Sequence, residues 1–141
     1  MNSVIISKAG GPEVLEYKEL KLEDPKADEV TIKNHAIGLN YIDTYHRSGL
    51  YPLTLPSPIG LEGAGEITEV GSDVKDFKIG DKVAYCAAPL GAYSTHRNYP
   101  TKNLVKVPDS VDLETAATLM TKGITTFYLL HKTYPVKSGE D

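Results

Sequence analysis

Three features of this 141-residue chain predict a mainly β fold, a barrel or a sandwich, with a helical C-terminal segment. Apolar and polar residues alternate in short runs from the N-terminus to Lys106. Turn formers are dense and evenly spread, with 12 Gly and 9 Pro, so the elements are many and short. Only beyond Asp112 does the apolar spacing lengthen to three and four residues.

The elements follow in order. Val4–Ser7 and Leu15–Leu20 are strands flanking a turn at Ala9-Gly10-Gly11-Pro12. Glu29–Leu39 alternates, with Val30, Ile32 and Asn34 on one face and Thr31 and Lys33 on the other. Tyr41–Ser48 reads as a short helix: Asn40 is a good N-cap, Asp43 sits near the positive end, and Gly49 follows as a C′ residue. Gly63–Val70 alternates again, and Gly71-Ser72-Asp73 turns the chain. Val74–Ile79 leads through Gly80-Asp81 into a strand at Lys82–Cys86. Tyr93–Tyr99 and Leu104–Lys106 complete the β set. Leu113–Lys132 is helical, capped by Asp112, with Ala116, Ala117 and Met120, then Ile124, Phe127 and Tyr128, at helical spacing. Gly123 marks a kink or a join, and Pro135–Asp141 reads as a linker.

Composition excludes several classes. Apolar residues at 40% and charged residues at 24% describe a globular chain of about one domain. The balance of 15 Lys+Arg against 19 Asp+Glu, a net −4 without clusters, argues against nucleic-acid or anionic-membrane partners. One cysteine, Cys86, excludes a disulfide framework and a multi-Cys zinc module, and suits a reducing compartment. No signal peptide or membrane-length apolar run is visible, so a cytoplasmic location is expected. Nine Tyr stand against two Phe and no Trp, a bias toward rings with a polar tip at a surface or cleft.

The local motifs are weak by themselves. Gly63-x-Gly65 lacks the third glycine of a dinucleotide loop and runs into a strand, so a tightly curved barrel strand explains its glycines better than a phosphate site does. His35, His46, His96 and His131 match no short metal motif. Cys86 stands in an apolar strand and reads as core. No Gly-x-Ser-x-Gly occurs.

A composite pattern is more specific. Pro58-x-Gly60-x-Glu62-x-x-Gly65-x-Ile67-x-x-Val70-Gly71-x-x-Val74, followed by Gly80-Asp81-Lys82-Val83, resembles the N-terminal catalytic domain of the medium-chain dehydrogenase/reductase superfamily. Gly10–Leu15, Ala36–Tyr45, Arg47–Pro52, Gly91–Ser94 and Lys122–Thr125 are similar to its quinone oxidoreductase, zeta-crystallin-like branch. The resemblance implies a GroES-like, partly open β-barrel over residues 1–112. It also implies a helical connector over 113–141, leading to a Rossmann domain that this chain does not contain.

The resemblance further implies hydride transfer from NADPH to a small-molecule quinone. Zinc-dependent relatives carry a ligating Cys where this chain has Asn40, and Gly-His-Glu where it has Gly60-Leu61-Glu62, so no metal is expected. By family position Asn40, Asp43 and Tyr51 are the catalytic residues, and Asn40, Tyr45, Lys122 and Thr125 bind the cofactor. Bland readings stand beside these. Asn40 and Asp43 also suit helix capping, Tyr51 a surface ring, Lys122 a solvated charge, and Glu62 a salt bridge holding the barrel turn. The full-length enzyme is expected to be a homodimer, and this part alone to be inactive. The alternatives are an enone or alkenal reductase of the same branch and a non-catalytic GroES-like binding or structural module.

Overall fold

The computed structural model describes residues 1–140. Its strands are β1 (Asn2–Ile6), β2 (Leu15–Glu19), β3 (Glu29–Gly38), β4 (Ser57–Pro58), β5 (Glu62–Val70), β6 (Lys82–Tyr85), β7 (His96–Pro100) and β8 (Val105–Lys106). They form two antiparallel sheets, ordered β2-β1-β4 and β7-β3-β5-β6-β8. The sheets meet where Val4 donates to the Tyr93 carbonyl (2.8 Å) and Thr95 to that of Asn2 (2.9 Å). They do not close on each other completely, which makes a partly open barrel.

Alternation explains the interior. Val30 and Ile32 from β3, Ile67 from β5, Val83 and Tyr85 from β6 and Tyr99 from β7 pack as one core. Arg97 crosses this core at 5% exposure, its guanidinium 4.7 and 4.6 Å from the rings of Tyr85 and Tyr99. Thr31, expected on the outer face of β3, is also buried, because its hydroxyl donates to Asn98 Oδ1 at 2.7 Å. The register of β3 against β5 shifts between Asn34 and Ala36. There a Cβ on Gly65 would overlap the Lys33 carbonyl, so the glycine belongs to strand packing.

Two helices interrupt the sheets. α1 (Tyr41–Ser48) matches its predicted range and ends at Gly49 with φ +82°, a left-handed cap. α2 (Leu113–Tyr128) starts at Asp112, whose carboxylate accepts the Thr115 N–H at 2.7 Å. It lies on the second sheet through Ala116 and Ala117, which meet Ala64 and Ala84. These small side chains let helix and sheet backbones come close.

Three expectations need correction. Gly123 does not divide the helix. α2 continues through it, and the ladder widens only at a π-helical turn, Leu129–Thr133. The repeating apolar stripe outweighs one glycine's modest penalty. Cys86 lies one residue past β6 and is half-buried, outside the main core. The strand expected at Tyr93–Tyr99 begins at His96, and Tyr93–Thr95 are shared between the sheets, bonded to β1 at Val4 and Asn2 and to β3 where the Thr95 carbonyl accepts the Asn34 N–H.

Candidate active site

The residues flanking α1 and the middle of α2 converge on one buried carboxylate. Glu62, the first residue of β5, is 0% exposed. Its Oε1 accepts the backbone N–H of Thr121 at 2.7 Å, and its Oε2 accepts the Asn40 amide at 2.7 Å. Lys122 Nζ lies 3.6 Å from the same Oε2 and donates to Asn40 Oδ1 at 3.3 Å. One carboxylate thus ties together the start of α1, the beginning of the central strand β5 and α2. A buried charge needs such partners, and here it has three.

Gly38 makes the approach possible. A Cβ at this position would overlap both Glu62 Oε2 and the Ala117 carbonyl oxygen. The last residue of β3 therefore carries no side chain, and α2 settles over it.

Asp43 is inside the molecule at 3% exposure. Its Oδ2 accepts the Asn40 N–H (3.0 Å), which closes the first turn of α1, and the Tyr93 hydroxyl (2.8 Å). Burial and the Asp43 charge push the Tyr93 phenol above its ordinary range, so this hydroxyl stays a donor at neutral pH. Beyond the turn runs a row of rings. Tyr41 and Tyr45 meet at 5.3 Å, and so do Tyr45 and Tyr51. Tyr51 is 48% exposed, and Tyr41 more so.

Of the predicted residues, Asn40 and Lys122 touch each other, Asp43 braces Asn40, and Tyr45 and Tyr51 share a ring contact. Thr125 is exposed one turn past Thr121 on α2 and joins none of these contacts. Sequence reasoning missed Tyr93 and Thr121. It took Glu62 for a brace within the barrel, whereas its cation comes from α2. Cys86 is nearby: burial, then the Glu62 charge, push its thiol above the usual range. Among the described residues no three His, Cys, Asp or Glu side chains group to hold a metal ion, and no helix is long and apolar enough to cross a membrane.

Residues 26–109 match the model of the alcohol dehydrogenase GroES-like domain, more than half of the chain. The chain belongs to this family. A quinone oxidoreductase of Pseudomonas aeruginosa is 55% identical over 93% of this chain and 41% of its own length. A 2-haloacrylate reductase of Burkholderia is 44% identical over 98% of this chain and 43% of its own. The structure of Escherichia coli quinone oxidoreductase complexed with NADPH superposes with a TM-score of 0.97 at 45% identity, covering 99% of this chain and 43% of that one. The chain therefore spans less than half the length of these relatives. The GroES-like assignment fits the open barrel described above. On α2, Leu119, Ile124, Phe127 and Tyr128 are each more than half exposed.

Proposed function

We propose that this chain is the catalytic-domain part of a zinc-free, NADPH-dependent quinone oxidoreductase. The observation that supports it most is the junction of Asn40 and Lys122 on Glu62, 82 residues apart in sequence, beside the row Tyr41, Tyr45 and Tyr51. An amide, an ammonium and a row of edge-on and tilted phenols suit a flat polar ring such as a nicotinamide or a quinone. NADPH, when bound, supplies the hydride. The residues here suit its nicotinamide end: Asn40 and Lys122 bind, Tyr45 and Tyr51 offer ring faces, and Thr125 extends the surface along α2. Asp43 holds the start of α1 from inside. The phosphates need a Gly-rich strand–turn–helix, which the described residues do not contain.

The donor set does not fit zinc. Leu61 has no ligating atom, and both Glu62 oxygens are already hydrogen-bonded, with the Lys122 ammonium alongside. Without a Lewis acid the substrate must accept hydride readily, as quinones do. A quinone substrate and a homodimer of the complete enzyme belong to this reading. The Burkholderia relative favours a second one, reduction of an activated alkene such as an enone. The test follows NADPH absorbance with 1,4-benzoquinone and, separately, with 2-chloroacrylate, on the protein that carries this chain. Oxidation dependent on the quinone is expected. Turnover with 2-chloroacrylate alone supports the second reading, and no turnover with either overturns both.

A further inference from the structure

We infer that Glu62 is a positioning residue, which sets the orientation of the Asn40 amide and the reach of Lys122 so that the pair offers one acceptor and one donor to a ligand. This rests on the proposed oxidoreductase reading for what the ligand is, but not for the geometry.

A primary amide can be turned either way round, and its neighbours decide which. Here the decision is unambiguous. Glu62 is fully buried among donors, the Thr121 N–H at Oε1 and Lys122 Nζ 3.6 Å from Oε2, so the oxygen that Asn40 meets is an acceptor. The Asn40 atom facing it at 2.7 Å must be the NH2 group. Oδ1 is thereby turned the other way, toward Lys122 Nζ at 3.3 Å. Lys122 can only donate, so the two constraints agree. Asn40 is half-buried and Lys122 is 56% exposed, so the outward face of the pair is accessible. It presents a carbonyl oxygen beside an ammonium, the complement of a carboxamide, which carries one NH2 and one C=O.

The third partner gives the arrangement its rigidity. Thr121 N–H lies within α2 and donates to the other Glu62 oxygen at 2.7 Å. Both oxygens are thus fixed from different elements, and the carboxylate cannot rotate without breaking one bond. A purely structural carboxylate would leave Asn40 free to choose its orientation. This one does not.

The consequence for substitution is specific. Glu62→Gln keeps size and shape but brings its own NH2 group, so either Asn40 Nδ2 or Thr121 N–H loses its acceptor. The Thr121 N–H is backbone and cannot turn, so the new side-chain oxygen stays with it, the new NH2 faces Asn40, and the Asn40 amide turns over and shows its own NH2 to Lys122, donor against donor. Two measurements test this. In the 141-residue chain, NMR of the Asn40 side-chain amide is expected to show slow solvent exchange in the wild type and at least tenfold faster exchange in Glu62→Gln, with the backbone spectrum otherwise retained. In the protein that carries this chain, kcat/KM for NADPH with 1,4-benzoquinone is expected to fall at least tenfold in Glu62→Gln. It is expected to fall no more than twofold further when Glu62→Gln is added to Asn40→Ala, because Glu62 acts through Asn40. Unchanged Asn40 exchange, or fully additive losses, overturn the inference. If Glu62→Gln does not fold, Glu62→Asp, which keeps the charge but withdraws it by one methylene, is put through the same measurements. A wild type without turnover refutes the oxidoreductase reading alone, and the NMR result then decides the inference.

Discussion

Alanine at position 38 adds a single methyl group where three elements meet. Its Cβ would overlap Glu62 Oε2 and the Ala117 carbonyl oxygen, and would stand 2.7 Å from Glu62 Cδ. Ordinary carbon contacts lie at about 3.5–4.0 Å, so the carboxylate or the helix must retreat by about 1 Å. Neither yields easily. Ala117 is backbone on a helix packed through Ala116 and Ala117, and Glu62 is held by Asn40 and Thr121. Overpacking of this kind costs about 1–3 kcal/mol. Loosening one hydrogen bond to a buried carboxylate adds about 1–2 kcal/mol. Together these give roughly 2–5 kcal/mol, a large share of the 5–15 kcal/mol or so that holds a domain together. For a chain of this size Tm should fall by on the order of 10 °C. The assay is thermal unfolding followed by circular dichroism, with urea unfolding as a second probe. A Tm within about 2 °C of the wild type would refute the close seating of α2 on β3.

Other outcomes follow from single contacts. Gly123→Ala should stabilise by about 0.5–1 kcal/mol, since the site is helical and the new Cβ meets only the flexible end of Leu119 at 3.3 Å; a loss of stability in urea would contradict this. Asp112 is held below its ordinary value by the Thr115 N–H and then by its hydroxyl. Because the folded value is the lower one, this support for α2 is complete above the unfolded value of about 3.9 and is lost as pH falls through the folded value. The protection of the Thr115 amide relative to its intrinsic exchange rate should therefore fall only in acid, and Asp112→Asn should remove that pH dependence. Cys86, with its thiol pushed up by burial and by Glu62, should react with iodoacetamide at neutral pH more slowly than free cysteine. Equal rates, followed by mass spectrometry, would contradict that environment.

Strands and helices were legible wherever one local rule acted alone. The alternation of Val30 and Ile32, the Asn40–Asp43 helix start and the Asp112 cap each depend on neighbours within a few residues, and each is found in the structure. Misreadings arose where distant partners decide. Thr31 is buried where it meets Asn98, and Tyr93–Thr95 fall short of the expected strand because their hydrogen bonds are divided among β1, β3 and Ile59. The two-residue strand β4 has no periodicity to detect, and it pairs with Ile5 and Ile6. The site followed the same division. Tyr45 and Tyr51 were named from the family resemblance, and their ring contact is seen in the structure. The Thr121 contact was not named, because it is made by a backbone N–H that no residue type announces.

Glu62 shows what a pattern of residue types leaves open. Its place after Gly60-Leu61 is a family position, and a salt bridge there was a reasonable reading. A carboxylate buried to 0% needs compensation in any member of the fold. Where the neighbouring positions carry Leu61 and Asn40 in place of metal ligands, that compensation must come from protein cations and donors. Lys122 and the Thr121 N–H supply it, and both belong to α2. The charge that stabilises the beginning of β5 is delivered by the helix that follows the barrel, so the position of α2 and the orientation of Asn40 cannot change independently. Any movement of α2 therefore acts on the candidate site through this carboxylate.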